Sequence, residues 1–179
     1  MAAAPARETM MKPCLACLFA LAALAAVPAK AAQSPSDFVT DAMKGDNSEI
    51  KLGQLAAAKG NSSAARAFGK TLVADHTKAK QAMANAASAM GVTPTDDASA
   101  EALAELTKLS SMSGPAFDRE FARYMVSDHE KDIKEFEAQA DSNDKTSAIA
   151  KQQLPDLRKH LTMARALAGE ARGDKSGGG

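Results

Sequence analysis

The chain has 179 residues, 22 basic and 22 acidic side chains, and only 4% aromatic residues. This length suits one domain with a substantial core, and the balanced charge gives no electrostatic reason to expect nucleic acid or an anionic membrane surface as a partner. Because alanine is plentiful and aromatic residues are scarce, the composition favours closely packed helices over a β-sheet.

The first 31 residues have the pattern of a secretory signal peptide. Arg7 and Lys12 precede an apolar run over residues 14–27, and Ala29 and Ala31 are the small residues of a cleavage site. The run is too short to favour a transmembrane helix, which needs roughly 20 apolar residues. We therefore expect cleavage after Ala31 and a periplasmic or secreted mature chain with no integral membrane span.

Methionines inside the predicted leader suggest a later start of translation, at Met10 or Met11. The only cysteines, Cys14 and Cys17, also lie in the leader, so the mature chain has no disulfide and no thiolate metal ligand. The leader holds three of the 22 basic and one of the 22 acidic side chains, which leaves 19 basic against 21 acidic ones.

After a linker over residues 32–36, hydrophobic periodicity predicts four long helices and one short one. Ser36 or Asp37 is expected to cap the first helix, and Asn61 or Ser62 the second. Pro155 lies inside the last helix and is expected to kink it. The predicted helices cover residues 38–59, 62–90, 96–110, 115–140 and 145–168.

Residues 91–114 connect the second and third long helices and carry the short helix. A connection of this length can return along the bundle and make the two helices it joins parallel. The pattern predicts an all-α, ferritin-like four-helix bundle over residues 37–169, with one long crossover. Residues 170–179, which end in Lys-Ser-Gly-Gly-Gly, predict a disordered tail.

The three histidines of the chain are its candidate metal ligands. Residues 66–78 and 119–131 share six identities in register, including an Asp-His pair in each. His76 and His129 each replace a large apolar residue on an inward stripe, and His160 lies on the inner arc of the last helix. These placements predict three imidazoles facing the bundle interior.

Glu49 on the inner face of the first helix would complete one ligand-type side chain from each long helix, which is how bundles build metal sites. Three imidazoles and a carboxylate suit zinc, copper or iron. A carboxylate-bridged di-iron centre needs Glu-x-x-His twice. The residues three before the histidines are Val73, Val126 and Leu157, so that motif is absent.

Three aspartates are expected to support the histidines. Asp75 and Asp128 diverge by about 100° from the histidine that follows each of them, so they are better placed to hold a histidine on a neighbouring helix. Asp156 lies one turn before His160 and suits either a ligand or a supporting role.

A non-catalytic reading competes with the metal site. Inward histidines are often hydrogen-bonded core residues, and the Asp-His pairs would then form the buried polar network of a structural or interaction module. The sequence has no phosphate-binding glycine loop and no His-Glu-x-x-His, so it does not favour an enzyme. It indicates neither a protein partner nor an oligomeric state.

Three runs of the sequence resemble the bacterial DUF4142 family: GDNSEIKLGQLAAAKGNSSAARAFGKTLVADHTKA, SGPAFDREFARYMVSDHEKDIKEFE and LPDLRKHLTMARAL. The resemblance covers nearly all of residues 37–168 and implies an exported, ferritin-like protein of unknown function, without supplying a reaction. Metal storage or sequestration during envelope stress would fit that fold and compartment. The matching motif positions are Glu49, Asp75, His76, Phe117, Asp118, Asp128, His129, Pro155 and His160.

Overall fold

The computed structural model describes residues 1–2 and 32–173, with side chains up to residue 169. The predicted cleavage site and almost all of the leader lie outside the described residues, as does the end of the tail. The described residues form five helices and no strand, so the expected all-helical class is confirmed. The helices are α1 (Pro35–Lys59), α2 (Ser63–Ala89), α3 (Ala100–Ser110), α4 (Gly114–Ala140) and α5 (Ser147–Gly173).

The first helix begins earlier than the sequence predicts because Ser34, rather than Ser36 or Asp37, is its cap. The Ser34 hydroxyl accepts a hydrogen bond from the Asp37 amide, and Pro35 occupies the first turn. Proline suits this position because its missing N–H would have no partner within the helix. The predicted linker is therefore shorter than expected.

The crossover helix α3 begins later than predicted because an α1 side chain bonds to the backbone of the preceding segment. The Asn47 amide donates to the carbonyls of Thr95 and Asp97, at 3.1 and 2.9 Å. Ser99 then caps α3 by accepting from the Ala102 amide. These contacts attach the crossover to the middle of α1.

The last helix departs from the prediction at both ends. It begins at Ser147, after Asp144 accepts hydrogen bonds from the amide and hydroxyl of Thr146. It continues to Gly173, so the expected disordered tail was wrong for residues 170–173. Residues 170–172, Glu-Ala-Arg, favour helix strongly enough to extend it. The helix runs through Pro155, and the kink expected there stays a prediction.

The helices pack as two hairpins. α1 packs mainly on α2 and α4 mainly on α5, whereas the hairpins meet less extensively along α2 with α5 and α1 with α4. None of the described helices is both long enough and apolar enough to cross a membrane.

Two apolar clusters fill the interior between the hairpins. The first contains Leu52, Leu72, Phe121, Met125 and Ala164 among others. The second contains Met43, Met83, Phe136, Leu154 and Leu157 among others.

Gly53 and Gly69 let α1 and α2 approach backbone to backbone. A Cβ atom added at Gly69 would lie 2.5 Å from the Gly53 carbonyl oxygen and 2.6 Å from the Ala57 nitrogen. Real Cβ atoms do not come so close to backbone atoms, so a side chain here would push the two helices apart. The register of α1 against α2 is thus set beside the segment that carries Glu49 and His76.

Replacing Gly69 with alanine should lower the free energy of unfolding by about 1 to 3 kcal/mol, because overpacking forces the backbones to shift. Gly45→Ala is the matched control, since a Cβ there meets nothing within 4 Å. Alanine is the better helix former, so Gly45→Ala should stabilise by about 0.5 to 1 kcal/mol. Urea denaturation measures both variants, and equal effects at the two positions would contradict the close approach.

Candidate metal centre

A layer of buried polar side chains separates the two apolar clusters. On each long helix, residues on one side of this layer belong to the first cluster and residues on the other side to the second. Every member is at most 5% exposed. The members of this polar layer are Asp46 and Glu49 on α1, His76 on α2, His129 on α4 and His160 on α5.

The three histidines meet at one depth and form the histidine cluster. The His160 ring centroid lies 5.1 Å from that of His76 and 5.4 Å from that of His129. One ring nitrogen of each histidine lies within 4.8 Å of the other two. Because a zinc–nitrogen bond is about 2.0 to 2.1 Å long, small side-chain rotations would bring the three nitrogens around one ion.

Each histidine uses one ring nitrogen in a hydrogen bond to a protein acceptor. The bonded pairs are His76 Nδ1 with Asp46 Oδ1 at 2.9 Å, His129 Nδ1 with Met125 O at 3.0 Å, and His160 Nε2 with Asp75 Oδ2 at 3.0 Å. An acceptor at one ring nitrogen places the proton there and leaves a lone pair on the other. Carboxylates and backbone carbonyls hold metal-binding histidines in this way.

The second nitrogen of each ring is buried and has no hydrogen-bond partner in the described part of the chain. These atoms are His76 Nε2, His129 Nε2 and His160 Nδ1. A buried acceptor without a partner is unfavourable by about 1 to 3 kcal/mol. Three such atoms, from three helices whose histidines lie side by side, are candidate ligands for a cation.

Burial keeps the imidazoles neutral. Desolvation lowers the pKa of His76 to about 4 and that of His129 to about 3, and the neighbouring histidines lower the latter further. Desolvation also lowers the pKa of His160 to about 4, against the hydrogen bond to Asp75, which raises it. At neutral pH the free nitrogens therefore carry lone pairs, which is the form that binds metal.

Glu49 belongs to a second group, the carboxylate cluster, formed with Asp128 and His129. Ligand atoms of these three residues lie within 4.8 Å of one another. Glu49 is 1% exposed, and among residues 32–169 its oxygens have no partner except the Asp128 carboxyl, with which a hydrogen bond requires a shared proton. Desolvation raises the pKa of Glu49 well above its usual value, and the proximity of Asp128 raises it further.

The predicted site residues are thus divided between two adjoining groups. The structure brings the three histidines together, but it places Glu49 with Asp128 and with His129 alone. Whether any of them binds a metal stays a prediction.

The three aspartates expected to support the histidines have different surroundings. Asp75 bonds to His160 across the α2–α5 contact, and bonds from Lys159 and His160 lower its pKa although burial raises it. Asp128 lies in the carboxylate cluster. Asp156 is exposed and pairs with Lys159 at 2.9 Å.

The sequence reasoning missed two acidic residues. Asp46 accepts from His76, and burial raises its pKa well above the usual value. Burial and the proximity of Asp128 likewise raise the pKa of Asp132. The helical spacing contained the signal, because Asp46 lies three residues before Glu49 and Asp132 three residues after His129, which puts each pair on one face.

Replacing Glu49 with glutamine should stabilise the metal-free protein, by about 1 to 3 kcal/mol near pH 8. Wild-type Glu49 must either ionise in an apolar environment or take up a proton on folding. Folding raises the pKa of Glu49, so proton uptake by Glu49 stabilises the folded state at low pH. This stabilisation is lost as the pH rises through the raised pKa. The gain should therefore be larger near pH 8 than near pH 5.

Urea denaturation in the presence of a chelator measures the free energy of unfolding of Glu49→Gln and of the wild type at both pH values. Glu137→Gln is the control, because Glu137 is exposed and paired only with Arg158 among the contacts described. It should change stability by less than about 0.5 kcal/mol. A loss of stability in Glu49→Gln at both pH values would show that the carboxylate holds the core together.

A family profile described as Domain of unknown function (DUF4142) matches residues 20–167. The chain is also similar to a solved structure described as the crystal structure of a DUF305 fragment from Deinococcus radiodurans. The identity is 16%, the TM-score is 0.68, and the match covers 79% of this chain and 99% of that chain. This likeness supports the all-helical fold alone. No curated protein matches the chain.

Proposed function

Since this chain belongs to the DUF4142 family, whose function is unknown, its relatives assign it no reaction, and we propose that it binds a transition metal ion between its helices. The ligands are His76, His129 and His160. One observation carries the proposal: three histidines from three helices each have a buried ring nitrogen without a partner, and a ring nitrogen of each lies within 4.8 Å of one on each of the other two. A bound cation would satisfy all three nitrogens at once.

The ligand chemistry narrows the choice of ion to zinc, copper or iron, because neutral imidazoles suit these metals better than magnesium or calcium. Three histidines leave an open coordination position in a tetrahedral site. Glu49 is the candidate for that position, because its group shares His129 with the histidine cluster. No catalytic step is proposed.

The finer fold assignment is a ferritin-like four-helix bundle formed by α1, α2, α4 and α5. The contacts support it, because each of these helices packs on two of the others and α3 bridges α1 and α4. A long crossover between α2 and α4 is the connection expected of that fold.

The proposed setting is the cell envelope or its exterior, and the proposed role is storage or sequestration of the ion there. The sequence pattern of residues 1–31 supports export. A site without cysteine ligands also suits an oxidising compartment, where thiolates are lost to disulfides.

The competing proposal is a structural or interaction module. It is favoured by the acceptors that the histidines already have, since Asp46, Asp75 and the Met125 carbonyl each hold one ring. It predicts that histidine variants lose stability without any dependence on metal.

Adding zinc, copper or iron to the chelator-treated protein should raise its unfolding temperature. At free metal of about 100 times Kd, binding adds about 2.7 kcal/mol to the free energy of unfolding. His129→Ala should abolish this gain and the binding seen by calorimetry, because it removes a ligand. Elemental analysis of the protein purified from its native compartment should find the ion.

Met83→Ala is the matched control for His129→Ala. Met83 is fully buried in α2, so truncation destabilises by about 2 to 5 kcal/mol, yet it leaves every ligand in place. The metal-induced gain should persist in this variant. Binding that is absent from the wild type, or equal in His129→Ala and wild type, would falsify the metal site.

The mature chain isolated from the envelope or the medium should begin at Ala32. Mass spectrometry of its N-terminal peptide measures this, and Ala31→Arg should block the cleavage because the site requires a small residue. A mature chain that retains residues 14–27 would contradict the proposed export route.

A further inference from the structure

The histidine cluster and the carboxylate cluster share a residue that cannot serve both at the same time. His129 donates from Nδ1 to the Met125 carbonyl at 3.0 Å, which leaves only Nε2 for an ion. That nitrogen has a single lone pair. Two ions therefore cannot both use His129, although one ion can move from one group to the other without leaving it.

An acidic groove of about 370 Å³ opens beside the carboxylate cluster, between α1 and α4. Five acidic side chains and two lysines line this groove. Asp128 belongs both to the lining of the groove and to the carboxylate cluster, and Asp132 lines the groove one turn further along α4. A cleft in which one sign of charge predominates concentrates ions of the opposite sign, so this mainly acidic groove attracts cations.

The carboxylate cluster is more than a set of surface acids. Glu49 is 1% exposed, and its oxygens have no partner among the described side chains and backbone groups except the Asp128 carboxyl, which it can bond only through a shared proton. His129 is fully buried, and its Nε2 is also without a partner. A cation between Glu49, Asp128 and His129 would satisfy atoms that the protein leaves unsatisfied.

The other approach to the histidine cluster is narrow. A cavity of about 20 Å³ between α2 and α5 is lined by His76 and His160 directly. That volume holds about one water molecule. The Lys159 ammonium bonds to two carboxylates that line the cavity, Asp75 and Asp156, at 2.6 and 2.9 Å. Lys159 occupies both of these carboxylates and the cavity is small, so the larger acidic groove is the favoured route.

Building on the proposed function, we propose that Glu49, Asp128 and His129 form a loading site, which takes a divalent cation from the acidic groove and passes it to the histidine cluster. The ion binds first to the two carboxylates and to His129 Nε2. It keeps the bonds to His129 and to Glu49, the candidate for the fourth position, while the bond to Asp128 breaks and bonds to His76 Nε2 and His160 Nδ1 form. The receiving nitrogens carry no proton to displace, and a proton held by Glu49 leaves to solvent when the ion first binds.

The test is the rate of Zn²⁺ binding by the full mature chain, followed by stopped-flow competition with a fluorescent chelator. Asp128→Asn should lower the association rate constant by about tenfold, because it removes a charge where the groove meets the loading site. The dissociation rate constant should fall by the same factor, so the equilibrium Kd should not change. Added salt should slow the wild type more than the variant.

Asp96→Asn is the matched control, because Asp96 is exposed, lies outside the groove and pairs with Lys80. It should bind Zn²⁺ at the wild-type rate. Asp132→Asn provides a second groove variant if Asp128→Asn fails to fold, and it should also slow association. The stoichiometry should be one ion per chain.

Three outcomes would overturn the loading site while leaving the metal site intact. The first is a wild-type association rate in both groove variants. The second is a weaker equilibrium affinity with an unchanged association rate, which would make Asp128 a ligand of the final site. The third is a stoichiometry of two ions per chain. A wild type that binds no Zn²⁺ would overturn the loading site together with the proposed function.

Discussion

The interior of this protein depends on one constraint, which is that three neutral imidazoles must be held side by side within the buried core. Each ring is fixed by one hydrogen bond, to Asp46, to the Met125 carbonyl or to Asp75. Those bonds occupy one nitrogen of each ring and leave the other without a partner among the described residues. The apolar clusters on both sides exclude solvent, and this exclusion keeps the pKa values of the histidines low.

The polar layer lowers the stability of the folded chain. Burying Asp46 and Glu49 is unfavourable, as their raised pKa values show, and the free nitrogens add unsatisfied acceptors. A protein selected only for stability would replace these groups with leucine or methionine, which pack without penalty. Local destabilisation of this kind is common where a site is arranged for a ligand that the bare chain lacks.

The helices and the inward histidines could be predicted from the sequence because both follow from a period of 3.6 residues. His76 and His129 interrupt apolar stripes, and such stripes face the core whatever the connectivity. Contacts between helices could not be predicted in the same way. Periodicity gives the direction of a side chain but not its height against a neighbouring helix, so Glu49 was expected among all three histidines.

Side-chain contacts also explain why helices begin or end at residues other than those predicted. Asn47 bonds to the carbonyls of Thr95 and Asp97 before α3, and nothing in the local sequence reveals those bonds. The pairing of Asp46 with His76 was missed for a related reason, since it depends on the register that Gly53 and Gly69 give to α1 and α2. Only the three-residue spacing from Asp46 to Glu49 was visible beforehand.

Because the helices pack as two hairpins, the histidine cluster lies where the hairpins meet. His76 belongs to the α1–α2 hairpin, whereas His129 and His160 belong to the α4–α5 hairpin, and contacts within each hairpin are far more extensive than contacts between them. An ion held by all three rings would link the two hairpins through a contact that can form and break. Its arrival or departure would change how freely the two halves move against each other, while each half kept its own shape.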